Sequence, residues 1–260
     1  MFPFIILQKM QSSAIFIFGE KKYFNISAKY ELMLYSQLYE KLTREIAPCE
    51  NGLSDDIYGL QFGSLLKDHN LHTIVICLDP TKDVIIQAIK LKAHLIISHH
   101  GLTHHPIQYF NDTVLDQISL LSMNQMSLFV MHTAWDASPG GISETLTRIS
   151  GLEIEDNLYF NDKGRKKPIG RIGRPIQEKT SVKQIATSLK RHLNLEAVQI
   201  GGNPDAIVKK AAIVGGKGLS SDKILDIIAA GCDTFISGEF TYPEYLSCKS
   251  LGLNLIGAGH

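Results

Sequence analysis

Three short apolar runs along this chain lead straight into polar residues able to do chemistry or turn the backbone. They are Thr73 to Leu78, Leu95 to Ile97 and Leu128 to Met131. Runs of this length without alternation mark strands buried on both faces, as in a parallel sheet. Between the first two, an Asp79-Pro80-Thr81 turn opens a segment from Val84 to Leu91 whose apolar residues at 85, 88, 89 and 91 predict a helix. Leu115 to Asn124 predicts another before the third run. Strands alternating with helices imply parallel pairing through right-handed crossovers. Functional groups in such sheets gather beyond the carboxyl ends of the strands. There the chain places Ser98-His99-His100-Gly101 after the second run and His132-Thr133-Ala134-Trp135-Asp136 after the third. Adjacent side chains on a strand point to opposite faces, so His99 and His100 can converge only if the backbone turns, and Gly101 is expected to supply the dihedrals.

The flanking pattern is plainer. Tyr30 to Ile46 predicts an amphipathic helix through Leu34, Leu38 and Leu42, and Asp55 to Gly63 a turn, a short strand and a turn. Ile142 to Ile149 and Ser181 to Leu193 predict helices, and Gly170 to Pro175 and Ala197 to Ile200 strands. Residues 151–172 read as an exposed hairpin or linker, with Lys163 to Lys167 a solvated basic loop. Residues 1–28 show no clear partner in the rest of the chain. They read as an extra strand pair or as an extension upstream of Met33, dispensable for folding.

A repeat organises the whole. Shifted by 139 positions, the first β-α-β unit overlays the segment from Ala212: Ile74-Val75 meets Ile213-Val214, Asp83 meets Asp222, Ile97-Ser98 meets Ile236-Ser237, and His99-His100 meets Gly238-Glu239. Leu253 to Ile256 then leads to Gly257-Ala258-Gly259-His260 much as Leu128 to Met131 leads to His132. The expected fold is α/β, two pseudo-repeated β-α-β units in two domains. The divisions are 1–28 (extension), 29–150 (first half, with the His-His pair and Asp136) and 151–260 (second half). A shared site would collect His99, His100, Asp136 and His260, with His132 and Glu239 near by.

Composition narrows the chemistry. With 26 basic and 26 acidic residues the formal net charge is zero, which argues against general binding to nucleic acid or anionic membrane. Cys49, Cys77, Cys232 and Cys248 form no CxxC pair and read as reduced thiols. The apolar N-terminus lacks a basic lead and makes a poor signal peptide, and no membrane span is visible. The histidines crowd between His94 and His132. Mixed imidazole and carboxylate ligation suits zinc, iron, manganese or cobalt and not magnesium or calcium alone. Two such ions roughly 3.5–4 Å apart would generate a bound hydroxide. No GxSxG, Walker or HExxH motif offers another mechanism. Gly215-Gly216-Lys217-Gly218 suits an anion cradle or simply a tight turn.

These residues resemble the Nif-three-like dinuclear-metal family, the GTP cyclohydrolase 1 type 2 homologues. The matching motifs are DIYGLQFG at Asp56 to Gly63, LDPT at Leu78 to Thr81, ISHHG at Ile97 to Gly101, HTAWDASPGG at His132 to Gly141, ISGE at Ile236 to Glu239 and LNLIGAGH at Leu253 to His260. The likeness runs from about Met33 to the last residue. It implies a cytoplasmic homohexamer, a nucleotide-like small-molecule substrate and two divalent transition ions (Zn, Fe or Mn). It implies metal ligation by His99, His100, Asp136 and His260. Hydrolysis by a dinuclear metal-bound hydroxide is the implied activity. A non-catalytic metal-binding or interaction protein, or an inactive truncated copy, are the alternatives. The family pattern has an Asp-Asn pair where this chain has Asp56-Ile57, and continues beyond His260 with Thr and a ligand Glu, so one metal site is expected to be weak.

Overall fold

The three apolar runs form the centre of a six-stranded sheet. The computed structural model describes residues 14–19, 22–26, 33–63, 70–71, 73–103 and 109–260. Two compact units divide at Ser138/Pro139.

In the first unit, β1 (Ala14–Gly19) and β2 (Lys22–Ile26) precede a short β3 (Met33–Leu34), α1 (Tyr35–Lys41) with a π-helical turn at Leu42–Ile46, and β4 (Gly59–Phe62). Then come β5 (Asn70–Leu71), β6 (Thr73–Cys77), α2 (Lys82–Lys90), β7 (Leu95–Ser98), α3 (Asp112–Met123), β8 (Ser127–Val130) and a six-residue α4 (His132–Ala137). The sheet order is β2-β1-β6-β7-β8-β4. Strands β1, β6, β7 and β8 run parallel, with β2 and β4 antiparallel at the edges. Burial explains the apolar runs: Ile74, Val75, Leu95, Ile96, Ile97, Leu128, Phe129 and Val130 are all inaccessible to solvent. Val75, Ile96, Leu128 and Val130 pack with Ile85 and Ala88 of α2 and Leu121 of α3. Thr81 and Asn111 cap α2 and α3 by accepting from the amides of Val84 and Val114.

The N-terminal stretch does have a partner. β1 pairs with β6 from Ala14↔Thr73 to Ile17↔Ile76 and brings β2 with it. It is the strand pair of the two alternatives, and its place in the sheet corrects the expectation of a segment without a partner. Residues 1–13, 20–21 and 27–28 of that expectation lie outside the described residues, as do 30–32 of the expected helix, which starts at Tyr35.

The second unit holds α5 (Ile142–Ile149), β9 (Leu152–Asp162), β10 (Arg165–Pro175), α6 (Val182–Leu193), β11 (Gln199–Gly201), β12 (Ala211–Ile213), α7 (Ser221–Ala229), β13 (Thr234–Ser237), α8 (Tyr242–Ser250) and β14 (Asn254–Gly257). Its sheet runs β11-β14-β13-β12-β10-β9, with β12, β13 and β14 parallel. The 139-residue shift therefore joins equivalent elements, β6-α2-β7 and β12-α7-β13. Residues 151–172 are a hairpin and no linker: β9 and β10 pair over eleven residues each. The expected helix at 142–149 packs on that hairpin. No helix among the described residues is long and apolar enough to cross a membrane.

A buried ion pair ties α5 to β10. Arg171 is 3% exposed and donates to Glu144 Oε1 at 3.3 Å and to the carbonyls of Pro168 and Gly170. Glu144 also accepts from the Gly140 amide and from Arg148, each at 2.9 Å. Burial works against the Glu144 carboxylate, but the Gly140 bond and the two guanidinium groups outweigh it and hold the group below its ordinary value. A depressed carboxylate stabilises the fold above its unfolded value and loses that contribution as pH falls through its folded value. Glu144→Gln, which removes the carboxylate charge facing buried Arg171, should cost about 2–3 kcal/mol at about pH 7 and less as pH falls through the folded value of Glu144. Urea denaturation at a pH above and a pH below that value measures this. An equal loss at both would show that charge is not what fixes α5 to the sheet.

Candidate metal centre

The ladder between β6, β7 and β8 continues past the strands. His99 and His100 donate from their amides to the carbonyls of Cys77 (3.1 Å) and Leu78 (2.9 Å), and Met131 and His132 to those of Ser98 and His99, both at 3.1 Å. The Ser98 hydroxyl bonds the His100 carbonyl at 2.6 Å and closes the turn. Gly101 serves here for a different reason from the one expected. Its φ lies outside the left-handed region, but a Cβ would meet the Gln61 amide nitrogen at 2.7 Å. Gln61 packs there because its oxygen accepts from the Leu102 amide at 2.7 Å. The unusual backbone is at His132, whose φ of +26° is costly for a side-chain-bearing residue.

This frame gathers three imidazoles. Ring centroids of His99, His100 and His132 lie 4.9, 5.1 and 5.4 Å apart, and one ligand nitrogen from each falls within 4.8 Å of the others. Carboxylates orient two of the rings. His100 Nδ1 bonds Asp79 Oδ1 at 2.7 Å, and His132 Nδ1 bonds Asp56 Oδ1. A carboxylate accepting from Nδ1 leaves the Nε2 lone pair as the ligand atom. Asp56 also accepts from the amide (2.9 Å) and hydroxyl of Thr133. Burial opposes its charge, but these bonds hold Asp56 below its ordinary value. Burial likewise pulls His132 down, and Asp56 with Asp136 more than offsets it, so His132 lies above its ordinary value.

Asp136 completes the cluster in an unexpected way. It sits on α4 and not on a loop, with Oδ2 3.8 Å from His99 Nε2. Burial is the main influence on its carboxyl and pushes it up to about 7, with His132 opposing and Asp56 adding. Among the described residues Oδ1 meets no hydrogen-bond donor. A buried acceptor without a donor is expensive, and a cation satisfies it. The donor set therefore fits a metal ion: three imidazoles, two with their tautomers fixed, beside a buried carboxylate whose Oδ1 meets no donor among the described residues.

His260 and Glu239 belong to the second unit. The imidazole of His260 lies against Gly216, where a Cβ would stand 2.9 Å from it, and Gly216 has a φ of +59°. Glu239 is exposed after β13, and its carbonyl accepts from the Ser237 hydroxyl at 3.1 Å. That bond repeats the one from Ser98 to His100. The structure thus brings together His99, His100, His132 and Asp136. Sequence reasoning missed the carboxylates of Asp56 and Asp79. Asp79 had a signal, since it lies two residues past the end of β6 as His100 lies two past the end of β7. Asp56, 76 positions from His132, had none that spacing reveals.

Comparison with known proteins identifies the family of the chain. A family model described as Duf34/NIF3 (NGG1p interacting factor 3) matches residues 33–260. The GTP cyclohydrolase 1 type 2 homolog of Clostridium perfringens is 32% identical, covering 84% of this chain and 82% of that protein. The one from Methanocaldococcus jannaschii is 28% identical, with 82% and 83% covered. Among solved structures, reduced HcgD from Methanocaldococcus jannaschii superposes with a TM-score of 0.74 at 25% identity, covering 88% of this chain and 89% of that one. A Bacillus cereus protein related to NIF3 gives 0.75 at 19% identity over the same shares. With a family match from Met33 to His260 and a relative of this identity, the chain belongs to the Duf34/NIF3 family.

Proposed function

We propose that this chain binds divalent transition metal through His99, His100 and Asp136 and uses the centre for hydrolysis. The observation that carries the reading is the imidazole cluster beside the buried oxygen of Asp136, which meets no donor among the described residues. Zinc, iron or manganese suits that set, and two ions per chain is the proposed complement. When bound, such ions supply Lewis acidity, polarising a substrate oxygen and acidifying water. The chain's own part is orientation. Asp79 holds the proton on His100 Nδ1 and Asp56 the one on His132 Nδ1. His132, the third imidazole of the cluster and outside the proposed ligand set, then serves as a proton carrier, its protonated form favoured by Asp56.

The names of the relatives point to GTP as the substrate to try, with water opening the imidazole ring of guanine and formate leaving. We also propose a cytoplasmic homo-oligomer, a hexamer, whose mass light scattering would read directly. Purified protein should carry metal that a His99→Ala/His100→Ala variant lacks. Equal metal content in the two, by elemental mass spectrometry, would sink the metal reading. Asp79→Asn should keep the fold and weaken metal affinity about tenfold or more, since it loosens the ring without removing a ligand. Formate release from GTP by the metal-loaded protein tests the hydrolase reading. A protein that holds its metal and turns over no GTP would favour the alternative, a non-catalytic metal-binding interaction protein.

A further inference from the structure

The parallel strands of the first unit have a second end, away from His99, His100 and His132 and lined by His94. There the turns leading into β7 and β8 line a half-open cavity of about 430 Å³. Two residues lining it, Lys92 and Gln125, hold φ angles of +54° and +52°. Each follows a helix at the place where glycine is the usual choice, because a Cβ is disfavoured in the left-handed region. The second unit makes that choice. Between α7 and β13 it has Gly231 (φ +80°), and between α8 and β14 Gly252 (φ +74°). At the cavity the chain instead keeps a long polar side chain at both positions.

Tyr35 adds an independent observation. It opens α1, lines the same cavity and is 5% exposed. Its hydroxyl meets no hydrogen-bond partner among the described residues. Burial, with Tyr39 adding to it, pushes that phenol up to about 12, so it stays protonated at physiological pH. Buried hydroxyls ordinarily have partners. Leu71 and Met126 give the cavity buried apolar walls, Lys92 and Gln125 are exposed, and no acidic side chain is among its described lining.

We propose that this cavity binds a small aromatic carboxylate. The planar body lies between the apolar walls, a polar ring substituent accepts from the Tyr35 hydroxyl, and the carboxylate meets Lys92 and Gln125 at the mouth. A volume of this size is ordinary for a small-molecule site. The proposal does not depend on the hydrolase reading, because its residues lie at the opposite ends of the strands.

The test uses 4-hydroxybenzoate and benzoate as probes, titrated into the full chain by calorimetry and ligand-observed NMR. 4-Hydroxybenzoate should bind once per chain and more tightly than benzoate. Tyr35→Phe should lower its affinity about tenfold, to the level of benzoate. Lys92→Gly and Gln125→Gly should weaken both acids, yet leave the melting temperature unchanged or raised, since glycine relieves the left-handed backbone. That opposition separates a binding role from a structural one. The His99→Ala/His100→Ala variant should bind both probes as the parent does. No binding at about 10 mM, affinities untouched by Tyr35→Phe and Lys92→Gly, or loss of binding in the double histidine variant would each overturn the proposal.

Discussion

Main-chain hydrogen bonds that run on beyond β6, β7 and β8 govern the candidate site. A strand alone sends neighbouring side chains to opposite faces. The two histidines after β7 share a site because their amides stay bonded to the carbonyls of Cys77 and Leu78 while the Ser98 hydroxyl pulls the His100 carbonyl round. The next rung, from the His132 amide to the His99 carbonyl, fixes the third ring relative to the first two. It also accounts for the φ of +26° at His132, which must keep that rung and at once begin α4. The buried apolar strands make the ladder rigid, and Asp56 and Asp79 then set the rotation and tautomer of two rings.

The same physics decides which elements were legible in the sequence. The runs at 73–78, 95–97 and 128–131 showed because full burial on both sheet faces leaves no room for polar residues, and the strands observed differ from them by a residue or so. Helix α5 was found at its observed bounds, Ile142–Ile149, because one of its faces is apolar. α4 escaped because six residues carry too little periodicity, and all from Thr133 to Ala137 are buried. α8 escaped through weak amphipathicity, although its start carried a readable signal: Thr241 and Glu244 form a capping box around Pro243. β9 reads as polar because much of it is exposed, so only pairing with β10 makes it a strand.

The site was legible in part for a different reason. Residues that act through a strand end sit next to an apolar run, so His99, His100 and His132 announce themselves. A residue that acts by reaching across from a distant loop leaves no such trace. Asp56 is fixed to Thr133 and His132 by contacts that only the fold creates. The reason assigned to Gly101 shows the same limit. For a glycine at a turn, conformational freedom is the natural explanation, whereas the structure reserves the position for the approach of Gln61 from a neighbouring segment.

The repeat sharpens the distinction between scaffold and chemistry. Ser98 and Ser237 make the same bond to the carbonyl two residues on, so both units turn the chain alike after the middle parallel strand. After that shared turn the first unit presents imidazoles backed by carboxylates, and the second presents glycine-lined backbone against His260. The turn is therefore a property of the fold, and the imidazole cluster is laid over it residue by residue. The other ends of the strands differ between the units as well, with glycine at both left-handed turns of the second and Lys92 and Gln125 at those of the first. Two copies of one β-α-β frame can diverge in this way because strand ends and turns contribute little to the buried apolar core. Substitution there changes what the protein can bind without changing what holds it together.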